Sequence, residues 1–162
     1  MKILIVNSSD IIGGAGRAAY RLHKALLNEG VDSQMLVKTK SGDDFTVTGP
    51  DTKIKQAINQ MRSTLDDLPL KFYQNPKSAF SVSWLPFSDV IDQINKINPD
   101  IVHLHWWNAG MLRIEDLNKI KVPIVWSLHD MWAFTGGCHY SGECRDYEKE
   151  CGSCTVLESD KV

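Results

Sequence analysis

Residues 2–38 read KILIVNSSDIIGGAGRAAYRLHKALLNEGVDSQMLVK, and this stretch decides the fold. It opens with the apolar run ILIV at 3–6, which is typical of a strand buried on both faces of a parallel sheet. Apolar residues then recur at helical spacing from Ala15 to Leu26, and Gly30 supplies a helix stop. A second strand is predicted over 33–38. The stretch is therefore a β-α-β unit, whose crossover is expected to be right-handed.

The rest of the chain continues to alternate between the two periodicities. Helices are predicted over 54–68, from one apolar stripe, over 89–97, between Ser88 and Pro99, and over 113–120. Strands are predicted over 101–105 and 124–128. The pattern predicts an α/β fold over residues 1–135, a Rossmann-like doubly wound parallel sheet, followed by an irregular cysteine-rich segment over 136–156. Ligands of such sheets bind at the carboxyl ends of the strands.

Composition excludes several classes of protein. The 162 residues carry 18 basic and 20 acidic side chains, a net charge of −2, so a general nucleic-acid binder is not expected. No apolar run approaches the roughly 20 residues of a membrane span or the core of a signal peptide. We therefore expect a cytoplasmic protein.

The loop after the first strand contains Gly13, Gly14, Gly16 and Arg17, at the start of a predicted helix. Missing side chains and unpaired N–H groups at a helix N-terminus favour an anion, so we predict a phosphate site here. The loop fits the dinucleotide-binding pattern G-x-G-x-x-A. However, residues 7–12 separate the first strand from the glycines, and the second strand does not end in the acidic residue that binds the ribose of a dinucleotide. A nicotinamide cofactor is therefore not expected. The alternative is that the glycines only permit close packing.

Polar side chains also end two later strands. Period-two alternation places His103 and His105 on one side of their strand. A strand histidine is usually a hydrogen-bonded core residue, the interpretation for His103, whereas His105 stays open between core and ligand. His129 and Asp130 follow the last strand, where the imidazole can donate a hydrogen bond or titrate and the carboxylate can orient it. This pair is the candidate reactive site.

All four cysteines lie in one short segment, with the spacing Cys138-x5-Cys144-x6-Cys151-x2-Cys154. The final C-x2-C is the spacing by which two thiolates chelate one tetrahedral zinc ion. In a reducing compartment, a structural zinc site on the four sulfurs is favoured over disulfides or free thiols. A redox C-x-x-C at Cys151 and Cys154 is a third alternative, and it would require a lowered thiol pKa there.

The strings at 12–37, 100–108 and 123–154 resemble the amino-terminal domain of family 4 glycosyltransferases, the retaining GT-B enzymes of bacterial polysaccharide assembly. The most specific string is WSLHDMWAFTGGCHY at 126–140, followed by the spaced cysteines, which resembles the signature of one subgroup. Thr155 departs from it, since that subgroup usually has proline after the last cysteine.

The resemblance implies a two-domain enzyme that moves a sugar from a nucleotide-sugar to a growing polysaccharide or lipid-linked acceptor. The amino-terminal domain mainly holds the acceptor, and a carboxy-terminal domain, for which 162 residues leave no room, grips the donor. The chain alone is then expected to be inactive and to self-associate through its open face. The resemblance places the loop Gly13, Gly14 and Gly16 near the donor diphosphate, with Arg17 neutralising the leaving group.

The same resemblance implies that His129 forms a hydrogen bond with the transferred sugar or the acceptor near the reaction centre, and we take His129 and Asp130 as the candidate catalytic residues. We take His105 and Asn108 as candidate acceptor-binding residues. The main competing hypothesis is a non-catalytic, zinc-stabilised Rossmann-like binding module. The amphipathic stretch 53–68 carries Lys53, Lys55 and Arg62, so peripheral contact with the inner face of the membrane is a further hypothesis.

Overall fold

The computed structural model describes residues 1–73 and 79–160. These residues form a five-stranded parallel sheet in the order β3-β2-β1-β4-β5. The strands are β1 (Lys2–Ser9), β2 (Asp32–Thr39), β3 (Val47–Thr48), β4 (Ile101–Leu104) and β5 (Ile124–Trp126). The helices are α1 (Gly13–Asn28), α2 (Lys53–Asp66) and α3 (Val90–Ile97). The order reverses at β1, as in the Rossmann fold, so the predicted fold class is confirmed.

The first strand forms the centre of the sheet because its side chains are buried on both faces. Leu4 and Val6 point to one side, where they join a core that includes residues of α3 and the tryptophan Trp107. Ile5 points to the other side and packs with Met35 and Ala19 of α1. Helices therefore cover both faces of the sheet, as the continuous apolar run at 3–6 predicts.

Four elements differ from the sequence-based expectation. The predicted helix over 113–120 is a 3-10 turn, Ile114–Lys119, with i→i+3 hydrogen bonds such as Asp116 N–H to Arg113 O. It is short because Pro123 ends the segment a few residues later. The two-residue strand β3 was not predicted, and β4 and β5 end at Leu104 and Trp126, earlier than expected.

Helix α2 is oriented in an unusual way. Its predicted apolar stripe faces solvent, with Ile54 73% and Met61 57% exposed, and we call this the exposed apolar row (Ile54, Ile58, Met61, Leu65, Leu68). The helix is attached to the domain by polar side chains instead. Arg62 donates to the carbonyl oxygens of Gly110, Leu85 and Pro86. Among the described residues, no helix is long and apolar enough to cross a membrane.

Candidate active site

The carboxyl ends of β1 and β4 are joined beyond the last residues of the sheet. The backbone N–H of Ser8 donates to the carbonyl oxygen of Trp106 over 2.7 Å. The buried Asn7 side chain accepts from the Trp106 N–H at 2.8 Å. Because both bonds meet at one residue, the loops that follow these two strands start from a fixed relative position.

The loop between β1 and α1 is held by a buried carboxylate. Asp10 is 1% exposed and accepts hydrogen bonds from the N–H groups of Ile11, Ser41 and Gly42, at 2.7 to 3.0 Å. These bonds tie the first loop to the loop after β2. Residues 7–12, which separate the strand from the glycines, are thus an ordered support for the glycine loop.

The glycines of this loop have two different roles. A Cβ atom added at Gly16 would lie 2.8 Å from Ser9 Oγ, so Gly16 permits close packing of α1 against the end of β1. Nothing lies within 4 Å of such an atom at Gly13 or Gly14, which are exposed. Ile12 provides no side-chain cap and the first turn of α1 holds no acidic residue. Its first N–H groups are therefore free of a competing carboxylate.

These glycines and the His129-Asp130 pair line one cavity of about 550 Å³. Two chain segments more than a hundred residues apart thus meet at the carboxyl edge of the sheet. The other lining residues come from the ends of β1 and β2 and from neighbouring loops (Ser8, Ser9, Ile12, Ala15, Lys38, Thr39, Trp106, Tyr140). The arrangement combines backbone donors, a lysine, an imidazole and aromatic surface in one space.

His129 lies on the cavity side of a histidine pair. Its Nε2 atom is 2.8 Å from Nδ1 of His105, and its ring is exposed whereas His105 is buried. Burial, and then the neighbouring His103 and His129, lower the pKa of His105 to about 4. His105 is therefore neutral near pH 7.

Asp130 is the centre of a hydrogen-bond network. One carboxylate oxygen accepts from Nε1 of Trp106 at 3.0 Å and from Nδ1 of His139 at 2.6 Å. The other oxygen accepts from the backbone N–H of Trp132 at 2.9 Å. With both oxygens occupied, the geometry suits Asp130 for holding the loop in place.

Three predicted site residues lie outside the cavity lining. The Nε of the exposed Arg17 donates to the carbonyl oxygen of Gly13, one turn earlier. Asn108 is buried and donates to Ser83 Oγ at 3.2 Å. His105 is buried behind His129 and reaches the cavity through that residue.

Sequence reasoning did not single out Lys38, which is the last residue but one of β2 and lines the cavity. Its Nζ donates to the carbonyl oxygen of Ala109, and burial lowers the pKa of its ammonium group. The rule that ligands bind at the carboxyl ends of strands would have identified it. Tyr140 also lines the cavity and likewise was not predicted as a site residue.

The four cysteines are free thiols. Cys138 is buried, and its thiol pKa is raised to about 11, first by burial and then by the three neighbouring thiols. Within residues 1–73 and 79–160, no group of three or more His, Cys, Asp or Glu side chains is arranged to hold a metal ion. The structure therefore does not support the predicted zinc site. Cys151 and Cys154 also lack the strand-to-helix context of a redox C-x-x-C, because irregular structure surrounds them.

The fold and the cavity define a Rossmann-like domain in which a glycine loop at a helix N-terminus lies opposite a histidine. Residues 12–149 match the sequence profile of Glycosyltransferase Family 4, and the chain belongs to this family. It is also similar to the putative colanic acid biosynthesis glycosyl transferase WcaC of Escherichia coli (strain K12), with 23% identity over 170 residues. That match covers 98% of this chain and 40% of the length of the relative. No solved structure matches the chain significantly.

Family membership favours the glycosyltransferase hypothesis over the binding-module alternative.

Proposed function

We propose that this chain is the amino-terminal, mainly acceptor-binding lobe of a retaining glycosyltransferase. The enzyme would move a sugar from a nucleotide-sugar to a growing polysaccharide or a lipid-linked acceptor. The observation that carries the proposal is the single cavity shared by the exposed glycines Gly13 and Gly14 and by His129. The glycine loop would bind the phosphate of the donor, and the imidazole would form a hydrogen bond with a sugar hydroxyl. These are the two contributions that the transfer needs from this lobe.

The chemistry follows from where charge develops. When the bond between the sugar and the diphosphate breaks, negative charge grows on the departing phosphate oxygens. Backbone N–H groups at the start of α1, together with the positive end of the helix dipole, stabilise that charge where it forms. Lys38 lines the same cavity and adds a cationic side chain, while Arg17 would reach the leaving group only by releasing the carbonyl oxygen of Gly13.

The other side of the cavity would bind sugar. His129 is exposed to it and would form a hydrogen bond with a hydroxyl of the transferred sugar or of the acceptor. Asp130 would keep this loop in place through its bonds to Trp106, His139 and Trp132. His105 would act through His129, and Asn108 would support the acceptor side through Ser83.

The proposal assigns the grip on the nucleotide to a second lobe. Residues 1–162 alone are then expected to catalyse no transfer, and the test needs the full reading frame that contains them. That protein would be incubated with a panel of radiolabelled nucleotide-sugars and a membrane lipid extract. We expect one donor to label a lipid or glycan product, and His129→Ala to lower kcat/KM by about 100-fold or more.

A matched pair of glycine variants tests the loop itself. A Cβ atom at Gly14 or at Gly152 would have no neighbour within 4 Å, so both positions accept a side chain. Gly14→Asp adds a negative charge to the proposed phosphate site and is expected to abolish transfer, whereas Gly152→Asp adds the same charge to the cysteine segment and is not. The proposal would be contradicted if none of the nucleotide-sugars served as a donor. It would also be contradicted if the two glycine variants were equally active.

The exposed apolar row supports a second part of the proposal, peripheral binding at the cytoplasmic face of the membrane. A helix whose polar residues face the domain and whose apolar residues face out has the arrangement of an interfacial helix. The exposed Lys53 and Lys55 at its first turn suit an anionic lipid surface, although Lys55 also pairs with Asp51 at 2.9 Å. A lipid-linked acceptor would then be delivered close to the domain.

A further inference from the structure

The buried His105 has one ring nitrogen in use and one without a partner. Its Nδ1 lies 2.8 Å from Nε2 of His129. Its Nε2 is buried and has no hydrogen-bond partner among the described residues, and the whole side chain is 4% exposed. A buried polar atom without a partner is uncommon in proteins. The unpartnered Nε2 of His105 therefore limits which nitrogens of His105 and His129 can carry a proton.

We propose that His105 is a positioning residue that holds His129 as the neutral tautomer with its proton on Nδ1, so that the cavity meets an N–H donor. This inference deepens the function proposed for the same cavity. Only the identity of the oxygen that accepts the hydrogen bond from His129 rests on that function. That oxygen would belong to a sugar hydroxyl or to the phosphate of the donor.

Two proton arrangements are compatible with the short contact. In the first, His105 carries its proton on Nδ1 and donates to Nε2 of His129, which leaves a bare lone pair on the buried His105 Nε2. In the second, His129 donates from Nε2, and His105 must carry its proton on the buried Nε2, for which residues 1–73 and 79–160 offer no acceptor. A buried N–H group without an acceptor is the rarer of the two defects, so the first arrangement is favoured.

The first arrangement also determines the other ring nitrogen of His129. A neutral imidazole carries one proton, and if Nε2 accepts, that proton is on Nδ1. Among the described residues the bond to His105 is the one hydrogen bond that His129 makes, so Nδ1 is available to a ligand in the cavity. His129 then acts as a donor with a fixed direction.

Both proton arrangements require a neutral His105. The titratable and charged groups that surround the pair are His103 beside it on β4, Asp130 and His139 in the following loop, and Lys38 and Tyr140 across the cavity. The lowered pKa of His105, which keeps it neutral, agrees with this description.

The tautomer can be measured directly in the 162-residue chain. Its five histidines, labelled with ¹⁵N, would be observed by long-range ¹H–¹⁵N correlation NMR at about pH 8.5, about two units above the ordinary histidine pKa. The two nitrogens of a neutral ring have different shifts, so the spectrum shows which one carries the proton. We expect His129 to be protonated on Nδ1, the opposite of the tautomer that a histidine side chain in water favours.

Two isosteric variants separate positioning from simple packing. His105→Asn keeps a donor at the position of Nδ1 and is expected to preserve the Nδ1–H form of His129. His105→Asp offers only an acceptor there, and it is expected to move the proton of His129 to Nε2. Should the aspartate variant fail to fold, His105→Leu replaces it, because loss of the donor is expected to return His129 to the Nε2–H form.

A neighbouring histidine provides the control. His103 lies in β4, two residues before His105, and its Nε2 is 2.8 Å from Ser127 Oγ, so His103→Asn is expected to leave the His129 tautomer unchanged. The proposal is overturned if His129 in the unaltered chain carries its proton on Nε2, or if the aspartate and leucine variants leave the proton on Nδ1. The NMR measurement needs no substrate, so its result does not depend on whether the transfer assay detects activity.

Discussion

Gly16 of α1 lies so close to Ser9 of β1 that a Cβ atom there would approach Ser9 Oγ to 2.8 Å and the carbonyl oxygens of Ser9 and Asp10 to 3.2 and 3.3 Å. The position of the glycine loop therefore depends on the absence of one methyl group. Helix and strand meet at backbone distance beside the proposed phosphate site.

Gly16→Ala is therefore expected to destabilise the chain by about 1–3 kcal/mol, since an extra carbon in a filled space forces the backbone to shift. Gly14→Ala is the matched control. It lies in the same helix, has no neighbour within 4 Å, and should be neutral or stabilising by about 0.5–1 kcal/mol. Urea unfolding measures both, and equal stability of the two variants would contradict the packing role of Gly16.

Stability is expected to fall as the pH falls below about 6.5, because buried histidines cannot gain protons in the folded state. His105 has a folded pKa of about 4, below its unfolded value, so the unfolded chain binds more protons between these values. The stability that it contributes is fully present above about pH 6.5 and decreases towards pH 4. Burial lowers the pKa values of His23 and His103 too, with the same sign.

Thermal unfolding of the native chain and of His105→Asn between pH 7.5 and 4.5 tests this. The free energy of unfolding of the variant is expected to change less with pH, because one histidine fewer takes up a proton on unfolding. Between pH 7.5 and 4.5 the native chain is expected to lose about 2–3 kcal/mol more stability than the variant. The comparison concerns the slope, because the substitution also changes the stability at every pH. Parallel curves for the two proteins would show that His105 titrates normally in the folded state.

The four thiols are expected to react at different rates. Cys151 is exposed, whereas Cys138 is buried and its pKa of about 11 lies two units above the ordinary cysteine value. The thiolate fraction at Cys138 is then about 100-fold lower than that of an ordinary thiol, and the thiolate is the reacting form. Alkylation with iodoacetamide at neutral pH, followed by peptide mass spectrometry, should label Cys151 first and Cys138 last. Simultaneous labelling of both would contradict this order.

Membrane binding is expected to depend on the exposed apolar row. Ile58→Glu places a charge on that row and should reduce co-flotation with vesicles that contain anionic lipid. Gln60→Glu adds the same charge at an exposed position of the same helix outside the row, and should reduce flotation much less. Equal loss in both variants would indicate simple charge repulsion. A different outcome is that the native chain fails to float and forms a concentration-dependent dimer that Ile58→Glu dissociates. That result would show that the exposed apolar row binds a second copy of the chain.

The sequence predicted those parts of the fold in which a local pattern determines the structure. The run at 3–6 and the helical spacing that follows it define β1 and α1, because burial on both faces makes the middle of the strand apolar throughout. The glycine loop and His129 were placed at the carboxyl edge by the same reasoning. Both line the cavity in the structure.

Other features depend on partners that are distant in sequence. The periodicity of α2 identifies a helix, but which side faces the domain is decided by Arg62, whose acceptors include Gly110 and Leu85. Lys38 enters the cavity only because β2 lies beside β1. The zinc prediction rested on the spacing of the cysteines, and spacing alone does not bring the sulfurs into coordination geometry.

Trp106 touches both edges of the cavity. Its backbone is bonded to Ser8 and Asn7 at the end of β1, and its indole N–H is bonded to Asp130 in the loop that carries His129. Trp106 therefore links the end of β1 to the loop that carries His129. Replacing the indole with a benzene ring would remove the bond to Asp130 and keep the backbone bonds to Ser8 and Asn7, so it would loosen the histidine side of the cavity and leave the β1 side attached.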